Sequence, residues 1–298
     1  MLSKIIQGCM RIKKMNEEDL YSLIMSDIEN GINYFDHADI YAHGECEKKF
    51  GKVLANHPEI RGKIILQTKC GIVLNRTGNY YDSSKQHILE SVDNSLENLH
   101  TNYIDYLLIH RPDAFMNVRE ISDAFDILYK TGKVRHFGVS NFNKYQLDNL
   151  VKHCHQLIEV NQLQFSLCHT QLIDGEFLTN VDTEAAQSAD SELMYYCKDN
   201  NIRVQAWSPF QFGYFEGIFL DSPKFPELNA KLKELAEKYN CDTNAIAVAW
   251  ILTYSSIMSV IAGSTKINRM ASIAKAKDIR LSKKEWYDLY RTAGHLLP

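Results

Sequence analysis

Four side chains with complementary proton chemistry stand at or just after the ends of three apolar segments. Asp36 and Tyr41 lie in INYFDHADIY, Lys69 lies in KIILQTKCG, and His110 lies in IDYLLIHRPD. Each segment is typical of a parallel strand, and barrel enzymes keep their reacting groups at the carboxyl ends of such strands. A carboxylate, a phenol, an ammonium and an imidazole in one pocket suit proton transfer to a carbonyl oxygen.

The four groups can be given separate roles. A free tyrosine, with a pKa of about 10, is a weak acid at neutral pH and needs help to donate its proton. A lysine near Tyr41 would favour the phenolate and lower the pKa, and an aspartate would keep that lysine charged. We therefore assign Tyr41 as proton donor, Lys69 as modulator and Asp36 as anchor of Lys69. His110 would hydrogen-bond the substrate oxygen and stabilise its developing charge.

Two more histidines lie close to this set in the sequence. His37 would point away from Asp36 if the strand continues, so we predict that it packs in the core. His43 follows Tyr41 closely, and the sequence leaves open whether it lines the pocket or belongs to a solvated loop.

Short apolar runs alternate with amphipathic stretches along the whole chain. Strands are predicted near 4–8 and at 32–36, 63–69, 104–109, 134–139, 158–163, 203–207 and 258–262. Helices are predicted near 16–30, at 45–56, 84–99, 118–131, 143–153 and 190–200, within 226–254, at 266–276 and at about 283–293. Eight strand–helix pairs predict an α/β protein of one domain over residues 1–298, a (β/α)8 TIM barrel with an additional C-terminal helix. The runner-up, an open doubly wound sheet, lacks the expected GxGxxG after its first strand.

Composition excludes several classes of function. The chain has 298 residues, a formal net charge of -4 and no basic stripe, which argues against nucleic acid as a partner. Its longest apolar run, Ala245 to Leu252, is far shorter than the roughly 18 residues of a spanning helix, and residues 1–10 lack a signal-peptide layout. We therefore expect a cytoplasmic protein without membrane contact, as a monomer or weak homo-oligomer.

Cysteine and histidine usage argues against a metal centre. The seven cysteines are odd in number and never spaced as CxxC, which favours reduced thiols over disulfides or a thiolate zinc site. The chain has 11 histidines, yet no HxH pair ends the first strand and no HExxH occurs. We expect no metal, which disfavours a metal-dependent barrel hydrolase.

Seven motifs in order resemble the aldo-keto reductase superfamily, whose members are NADPH-dependent barrels that reduce aldehydes and ketones. The motifs are FDHADIY, TKCGI, LLIHRPD, GKVRHFGVSNF, VNQLQFS, AWSPF and IAGSTKINR, and they span nearly the whole chain. FDHADIY, HRPD and GKVRHFGVSNF look most like a bacterial branch of predicted oxidoreductases. The resemblance implies the same four catalytic roles, a small-molecule carbonyl substrate and the cofactor NADPH (NADP+).

The resemblance also implies where the cofactor binds. Residues matching Ser140, Asn141 and Gln162 hold the nicotinamide carboxamide in this family, and an aromatic residue at the position of Trp207 stacks on the ring. The loop from Phe210 to Pro226 matches the family's flap over the pyrophosphate, where Gly213 would let the backbone approach the phosphates.

The end of the last strand combines features of a phosphate site. It runs through Ala262, Gly263, Ser264, Thr265 and Lys266 into a helix carrying Arg269, which brings together a hydroxyl, helix N-terminal amides and two cations. The family grips the adenosine 2'-phosphate at this place, so the resemblance favours NADPH over NADH. Ser272 and Ile273 depart from the acidic residue and asparagine that often contact adenine. The predicted cofactor shell comprises Gly8, Cys9, Met10, Asp36, Ser140, Asn141, Gln162, Trp207, Ser208, Pro209, Phe210, Gly213, Gly263, Ser264, Thr265, Lys266 and Arg269.

Loops after strands one, two, four and seven would supply the substrate walls. The predicted wall residues are Met10, Arg11, His43, Phe115, Met116 and Phe210, which would make a mixed, rather apolar pocket. An alternative function is a redox-sensing or regulatory subunit that binds NADPH with negligible turnover, as the potassium-channel beta subunits of this superfamily do. The intact set of four catalytic residues is compatible with both functions.

Overall fold

Eight strands close into a parallel barrel in the structure, a computed structural model that describes residues 3–190 and 192–298. In chain order the strands are β1 Ile5–Gly8, β2 Tyr34–Asp36, β3 Ile65–Cys70, β4 Ile104–Ile109, β5 Val134–Ser140, β6 Ile158–Gln164, β7 Arg203–Trp207 and β8 Met258–Ala262. Each strand neighbours the next in the sheet, and β8 neighbours β1. The predicted (β/α)8 barrel is confirmed.

Helices occupy the connections, as the sequence pattern predicts. They are α1 Glu17–Glu29, α2 Glu45–Asn56, α3 Lys85–Asn98, α4 Val118–Lys130, α5 Lys144–His153, α6 Gln171–Asp174, α7 Glu184–Ser188, α8 Leu193–Asp199, α9 Pro226–Lys238, α10 Thr243–Tyr254, α11 Ile267–Ala274 and α12 Lys283–Thr292. The helix predicted at 190–200 includes residue 191, which lies outside the described residues. Helix α12 is the predicted additional C-terminal helix.

Local sequence explains where the elements form and which faces they bury. All six residues of β4 are buried, as expected for a parallel strand covered on both faces. Asn16, Ser84, Asn143 and Ser282 each accept a main-chain hydrogen bond at a helix N-terminus, which satisfies a donor that the helix itself leaves free. Among the described residues, no helix is long and apolar enough to cross a membrane.

The chain packs as two compact units. The first contains the described part of Met1–Gln162 together with Gly263–Ile267, and it holds all four predicted catalytic residues. The second contains the described part of Leu163–Ala262 with Asn268–Pro298. In the second unit, the rings of Trp250 and Trp286 stack with centroids 4.8 Å apart. Each indole N–H donates to the main-chain oxygen of the other tryptophan, at 3.1 and 3.0 Å. That the chain forms a single domain stays a prediction.

Two β-hairpins, in the loops after β3 and β7, were not predicted from the sequence. One pairs Ile72–Val73 with Tyr80–Tyr81, and the other pairs Gln211–Phe212 with Gly217–Ile218. Strands of two residues are too short to show an alternating pattern, so their pairing leaves no periodic signal in the sequence.

Helix α2 meets the end of α3 at a contact that excludes a side chain. A Cβ atom on Gly51 would lie 2.1 Å from the main-chain oxygen of Asn98 and 2.8 Å from the Cα atom of Leu99. Both neighbours are backbone atoms, which cannot rotate away as a flexible side chain can. The spacing of the two helices therefore requires glycine at this position.

We predict that Gly51→Ala destabilises the protein although alanine is the better helix former by about 1 kcal/mol. Overpacking should lower the free energy of unfolding by about 1–3 kcal/mol net of that gain, measured by urea denaturation. Gly62→Ala is the control, since a Cβ there meets nothing within 4 Å. Equal stability of the two variants would show that the helices can separate at little cost.

Candidate active site

The ammonium group of Lys69 lies at the centre of the predicted catalytic residues, and the whole residue is buried. Its Nζ atom is 2.8 Å from both carboxylate oxygens of Asp36 and 3.2 Å from the Tyr41 hydroxyl. It also donates to the main-chain oxygen of His37 at 2.6 Å. Strands β2 and β3 are neighbours in the barrel, which brings the carboxylate, the ammonium and the phenol together.

Two glutamines complete the surroundings of the Asp36 carboxylate. The Nε2 atoms of Gln67 and Gln162 donate to its Oδ1 atom at 2.5 and 3.1 Å. Gln67 in turn accepts a hydrogen bond from the Tyr34 hydroxyl at 2.8 Å. Sequence reasoning missed Gln67, and its signal is the period of two that places it on the same strand face as Lys69. The carboxylate is thus fixed from several sides.

Burial and charge act in opposite directions on the lysine and the tyrosine. Burial would lower the pKa of Lys69, but Asp36 and Tyr41 outweigh it, so the pKa is raised and the ammonium stays charged. Burial raises the pKa of Tyr41, and Lys69 offsets only part of that rise. Lys69 thus lowers the pKa of Tyr41, as expected, but burial raises that pKa by more, so the net shift is upward. The phenol keeps its proton at neutral pH.

A left-handed turn follows Tyr41 and leads into α2. Ala42, His43 and Gly44 have φ angles of 52, 57 and 83°, a run in which the first two residues lack the freedom of glycine. The N–H of His43 donates to the main-chain oxygen of Ile40 at 3.0 Å, which helps hold the turn. Strained backbone of this kind persists only where surrounding contacts enforce it, and here it connects Tyr41 to the start of α2.

His110 is the first residue beyond β4, and its ring lies edge-on to the Tyr41 ring with centroids 6.1 Å apart. The main-chain N–H of His110 donates to the main-chain oxygen of Cys70 at 2.8 Å. Burial, together with the charges of Lys69 and Arg111, holds the pKa of the imidazole well below its usual range. The ring is neutral at physiological pH, and its Nδ1 atom has no hydrogen-bond partner among the described residues.

The three residues assigned to the nicotinamide carboxamide are adjacent in the structure. Ser140 Oγ donates to the main-chain oxygen of Gln162 at 2.9 Å, and Asn141 Nδ2 donates to Ser140 Oγ at 2.8 Å. Because Gln162 also contacts Asp36, this cluster adjoins the predicted catalytic residues. Hydroxyl and amide groups of this kind can donate and accept, as a primary carboxamide ligand requires.

The segment after β8 carries a second cluster of polar groups. Gln7 Nε2 donates to the main-chain oxygen of Ser264 at 3.2 Å, and the N–H of Lys266 donates to Ser264 Oγ at 3.1 Å. The guanidinium of Arg11 donates to the main-chain oxygen of Gly263 at 3.2 Å. Arg11, which was predicted to line the substrate pocket, therefore also contacts the predicted phosphate segment.

Further predicted cofactor residues belong to the second unit. The Trp207 ring stacks on Phe215 with centroids 6.1 Å apart, a neighbour that the sequence analysis did not identify. Gly213 has a φ of 56° in the hairpin after β7, and its main-chain oxygen accepts from Gln164 Nε2 at 2.8 Å. Arg269 is exposed on α11.

The predicted substrate walls are more open than the catalytic cluster. Phe115 is 93% exposed and Met10 is 44% exposed, so neither ring nor thioether closes a pocket in this structure. His43 is exposed on the turn after Tyr41 and lines a cavity there. His37 is fully buried with its ring edge-on to Phe50 at 4.7 Å, which confirms the packing role predicted for it.

A family model described as the aldo/keto reductase family matches residues 4–292. The chain belongs to this family. It is similar to the uncharacterized oxidoreductase YcsN of Bacillus subtilis strain 168, with 35% identity across 99% of this chain and 96% of that protein. It is 32% identical to the oxidoreductase YdhF of Escherichia coli K12, across 99% of this chain and 95% of that protein. The predicted bacterial oxidoreductase branch is thereby confirmed.

A solved structure of an aldo/keto reductase supports the fold. The Klebsiella pneumoniae protein, crystallised in complex with NADP and acetate, superimposes with a TM-score of 0.74 over 97% of this chain and 91% of that chain. Its sequence identity is 20%, so the comparison carries the barrel architecture and not the details of the site.

We predict that Asp36→Asn lowers the free energy of unfolding by about 3–5 kcal/mol, because a buried ammonium would lose its counter-charge. Urea denaturation at neutral pH measures the loss, and adding Lys69→Met should recover part of it by removing the unpaired charge. Glu45→Gln is the control, since the Glu45–Lys48 pair is exposed and contributes little. An Asp36→Asn variant as stable as the wild type would mean that water reaches Lys69.

Proposed function

We propose that this protein reduces aldehyde or ketone carbonyls to alcohols, with NADPH as the hydride donor and Tyr41 as the proton donor. The observation that carries the proposal is the Lys69 ammonium between the Asp36 carboxylate and the Tyr41 hydroxyl. Membership of an oxidoreductase family supports it. NADP in the related Klebsiella structure supports the choice of cofactor.

The roles of the residues follow from their contacts. Bound NADPH would supply a hydride to the carbonyl carbon. As negative charge grows on the substrate oxygen, Tyr41 gives up its proton, and Lys69 at 3.2 Å stabilises the phenolate left behind. Asp36 keeps the lysine charged and in place. Neutral His110 would hydrogen-bond the substrate oxygen and orient it.

The predicted cofactor shell fits a dinucleotide phosphate chemically. Ser140, Asn141 and Gln162 offer the donors and acceptors that a carboxamide needs, and the Trp207 indole offers a flat apolar face. Lys266 and Arg269 are exposed cations for which no acidic partner occurs among the described residues, as expected of side chains that receive a 2'-phosphate.

Tyr41→Phe should leave NADPH binding intact, since it removes one hydroxyl and keeps the ring. Carbonyl reduction at saturating cofactor should fall by about 10²- to 10⁴-fold, as expected for loss of a general acid. The measurement follows NADPH oxidation with a panel of aldehydes, ketones and quinones. Near-normal turnover in this variant would refute the role of Tyr41.

Lys69→Met serves as the companion variant. It should slow turnover comparably and move the pH optimum, because the phenolate loses its neighbouring cation. An unchanged pH profile would make Lys69 a bystander. A wild-type protein that binds NADPH tightly but oxidises it with no substrate of the panel would favour the redox-sensing alternative.

Arg269→Ala should weaken NADPH binding about tenfold to a hundredfold, because a charge-assisted contact contributes roughly 1.5–3 kcal/mol. NADH lacks the 2'-phosphate, so its affinity should hardly change. Lys266→Ala should act in the same direction with a smaller effect, since an ammonium makes no bidentate contact. Fluorescence titration with each nucleotide measures both variants.

The control for this prediction is the wild type at increasing salt, where NADPH affinity should fall more than NADH affinity. Equal losses for both nucleotides in Arg269→Ala would place that side chain away from the 2'-phosphate. A wild type that prefers NADH would overturn the choice of cofactor.

A further inference from the structure

Gln67 is a fully buried glutamine on β3. It pairs with Asp36 in the ladder between β2 and β3, so the two side chains lie next to each other on one face of the sheet. Gln162 of β6 also reaches Asp36, which identifies this face as the barrel interior. Branched apolar side chains fill most interior positions of such barrels, and a buried amide costs free energy unless it is hydrogen-bonded. A glutamine here is therefore explained by its hydrogen bonds rather than by packing.

Both ends of the Gln67 amide are hydrogen-bonded. Its Oε1 atom accepts from the Tyr34 hydroxyl at 2.8 Å, and its Nε2 atom donates to Asp36 Oδ1 at 2.5 Å. In a reversed amide, the oxygen would face a carboxylate oxygen and both of these contacts would be lost. The Tyr34 hydroxyl therefore turns the N–H end of the amide towards the carboxylate. Tyr34 and Asp36 are two residues apart on β2, so one strand supplies both partners.

One carboxylate oxygen of Asp36, Oδ1, accepts from three N–H donors. The donors are Lys69 at 2.8 Å, Gln67 at 2.5 Å and Gln162 at 3.1 Å. Gln67 is the closer of the two neutral donors, and Gln162 is also proposed to hold the nicotinamide carboxamide. Gln67 is therefore the donor whose effect on Asp36 can be tested without changing the proposed cofactor site.

The charges of Asp36 and Lys69 act on Tyr41 in opposite directions. Burial makes the largest contribution to the pKa of Tyr41 and raises it, the charge of Lys69 lowers it, and the charge of Asp36 raises it. A donor on Asp36 Oδ1 offsets part of the negative charge, so more of the positive potential of Lys69 acts on the phenol. The same donor restrains the carboxylate in the orientation in which both oxygens contact the ammonium.

We propose that Gln67 is a positioning residue for carbonyl reduction: its amide, oriented by the Tyr34 hydroxyl, holds the Asp36 carboxylate against Lys69 and offsets its charge, which makes Tyr41 a better proton donor. The inference rests on the proposed function of Tyr41. Gln67 acts through Asp36 and Lys69, so its loss should change the strength of the proton donor and leave substrate binding in place.

Other titratable groups near Asp36 keep one charge state around neutrality. Burial holds the pKa of the Cys9 thiol well above its usual value, and burial holds the pKa of the His110 imidazole well below its usual range. Both side chains are therefore neutral. The titratable groups that face Tyr34, Asp36 or Tyr41 from the surrounding elements are Cys9 after β1, Lys69 of β3, Tyr106 of β4 and His110 after β4.

The first test compares kcat and KM of wild type and Gln67→Met across pH, with saturating NADPH and an aldehyde. Methionine has a similar volume and removes both amide contacts. On the acid side, kcat should fall about threefold to tenfold with KM nearly unchanged, because a weaker acid donates its proton more slowly. The alkaline fall of kcat should move to higher pH by about half a unit to one unit, since the phenol keeps its proton longer. A kcat profile that matches the wild type overturns the proposal.

Thr68→Val is the matched control on the same strand. Thr68 is buried on the opposite face of β3 from Gln67 and donates to Glu47 at 2.6 Å, so this variant also removes a buried hydrogen bond. It should lower the free energy of unfolding and leave the pH profile of kcat unchanged. A shift equal to that of Gln67→Met would overturn the proposal, because the loss of any buried hydrogen bond of β3 would then produce it.

Tyr34→Phe tests the orientation of the amide, and it serves also if Gln67→Met does not fold. It removes one buried hydroxyl and keeps Gln67, so kcat and its alkaline fall should shift in the same direction by a smaller amount. In the Gln67→Met background, Tyr34→Phe should add nothing to the shift, because the hydroxyl acts through the amide. An unchanged profile in Tyr34→Phe overturns the proposal, and so does a full additional shift in the double variant.

A measurement without turnover distinguishes this proposal from the reductase function. The Cζ carbon of Tyr41 is followed by NMR in protein that contains isotope-labelled tyrosine, and it is assigned by its absence in Tyr41→Phe. Its titration should begin at higher pH in Gln67→Met than in the wild type, by about half a unit to one unit. Equal titration in the two proteins overturns the proposal. A later titration in a protein that reduces no carbonyl supports the effect of Gln67 on Tyr41 and refutes the reductase function.

Discussion

The buried charge on Lys69 is the constraint on which the rest of the site depends. Removing an ammonium from water is costly, and the cost is offset only where good hydrogen-bond acceptors surround it. Here both oxygens of Asp36, the main-chain oxygen of His37 and the Tyr41 hydroxyl meet that need. The requirement fixes the ends of β2 and β3 relative to each other. The groups that stabilise the buried ammonium of Lys69 therefore also set the geometry of the site.

The turn after Tyr41 connects this buried cluster to α2. Its left-handed residues Ala42, His43 and Gly44 separate Tyr41, which contacts Lys69, from the start of α2 at Glu45. Backbone in this conformation costs roughly 1–2 kcal/mol for a residue other than glycine. Glu47 holds the outer side of the arrangement through its hydrogen bond to Thr68, the residue before Lys69. Successive residues of β3 are thus held by side-chain hydrogen bonds, Thr68 to Glu47 and Lys69 to Asp36.

Sequence patterns predicted most of the fold because a buried parallel strand and an amphipathic helix each leave a regular trace. The four catalytic candidates were visible for the same reason, since all stand close to strand ends. The direction of long side chains was not visible, and the contact of Arg11 with the main-chain oxygen of Gly263 was not predicted. The burial of Glu47 was equally hidden, because it depends on contacts with Thr68 and with Asn98 at the end of α3, both more than twenty residues away in the chain. Local sequence does not encode such long-range desolvation.

The glycine contact between α2 and α3 limits which substitutions this chain can accept. At Gly51 the distance between the two helices is set by backbone atoms alone, so substitutions around the contact cannot widen or narrow it gradually. Substitutions of the neighbouring side chains therefore leave the distance between Glu47 and Thr68 unchanged. Substitutions can thus change the loops at the strand ends while the contact behind Lys69 keeps its spacing.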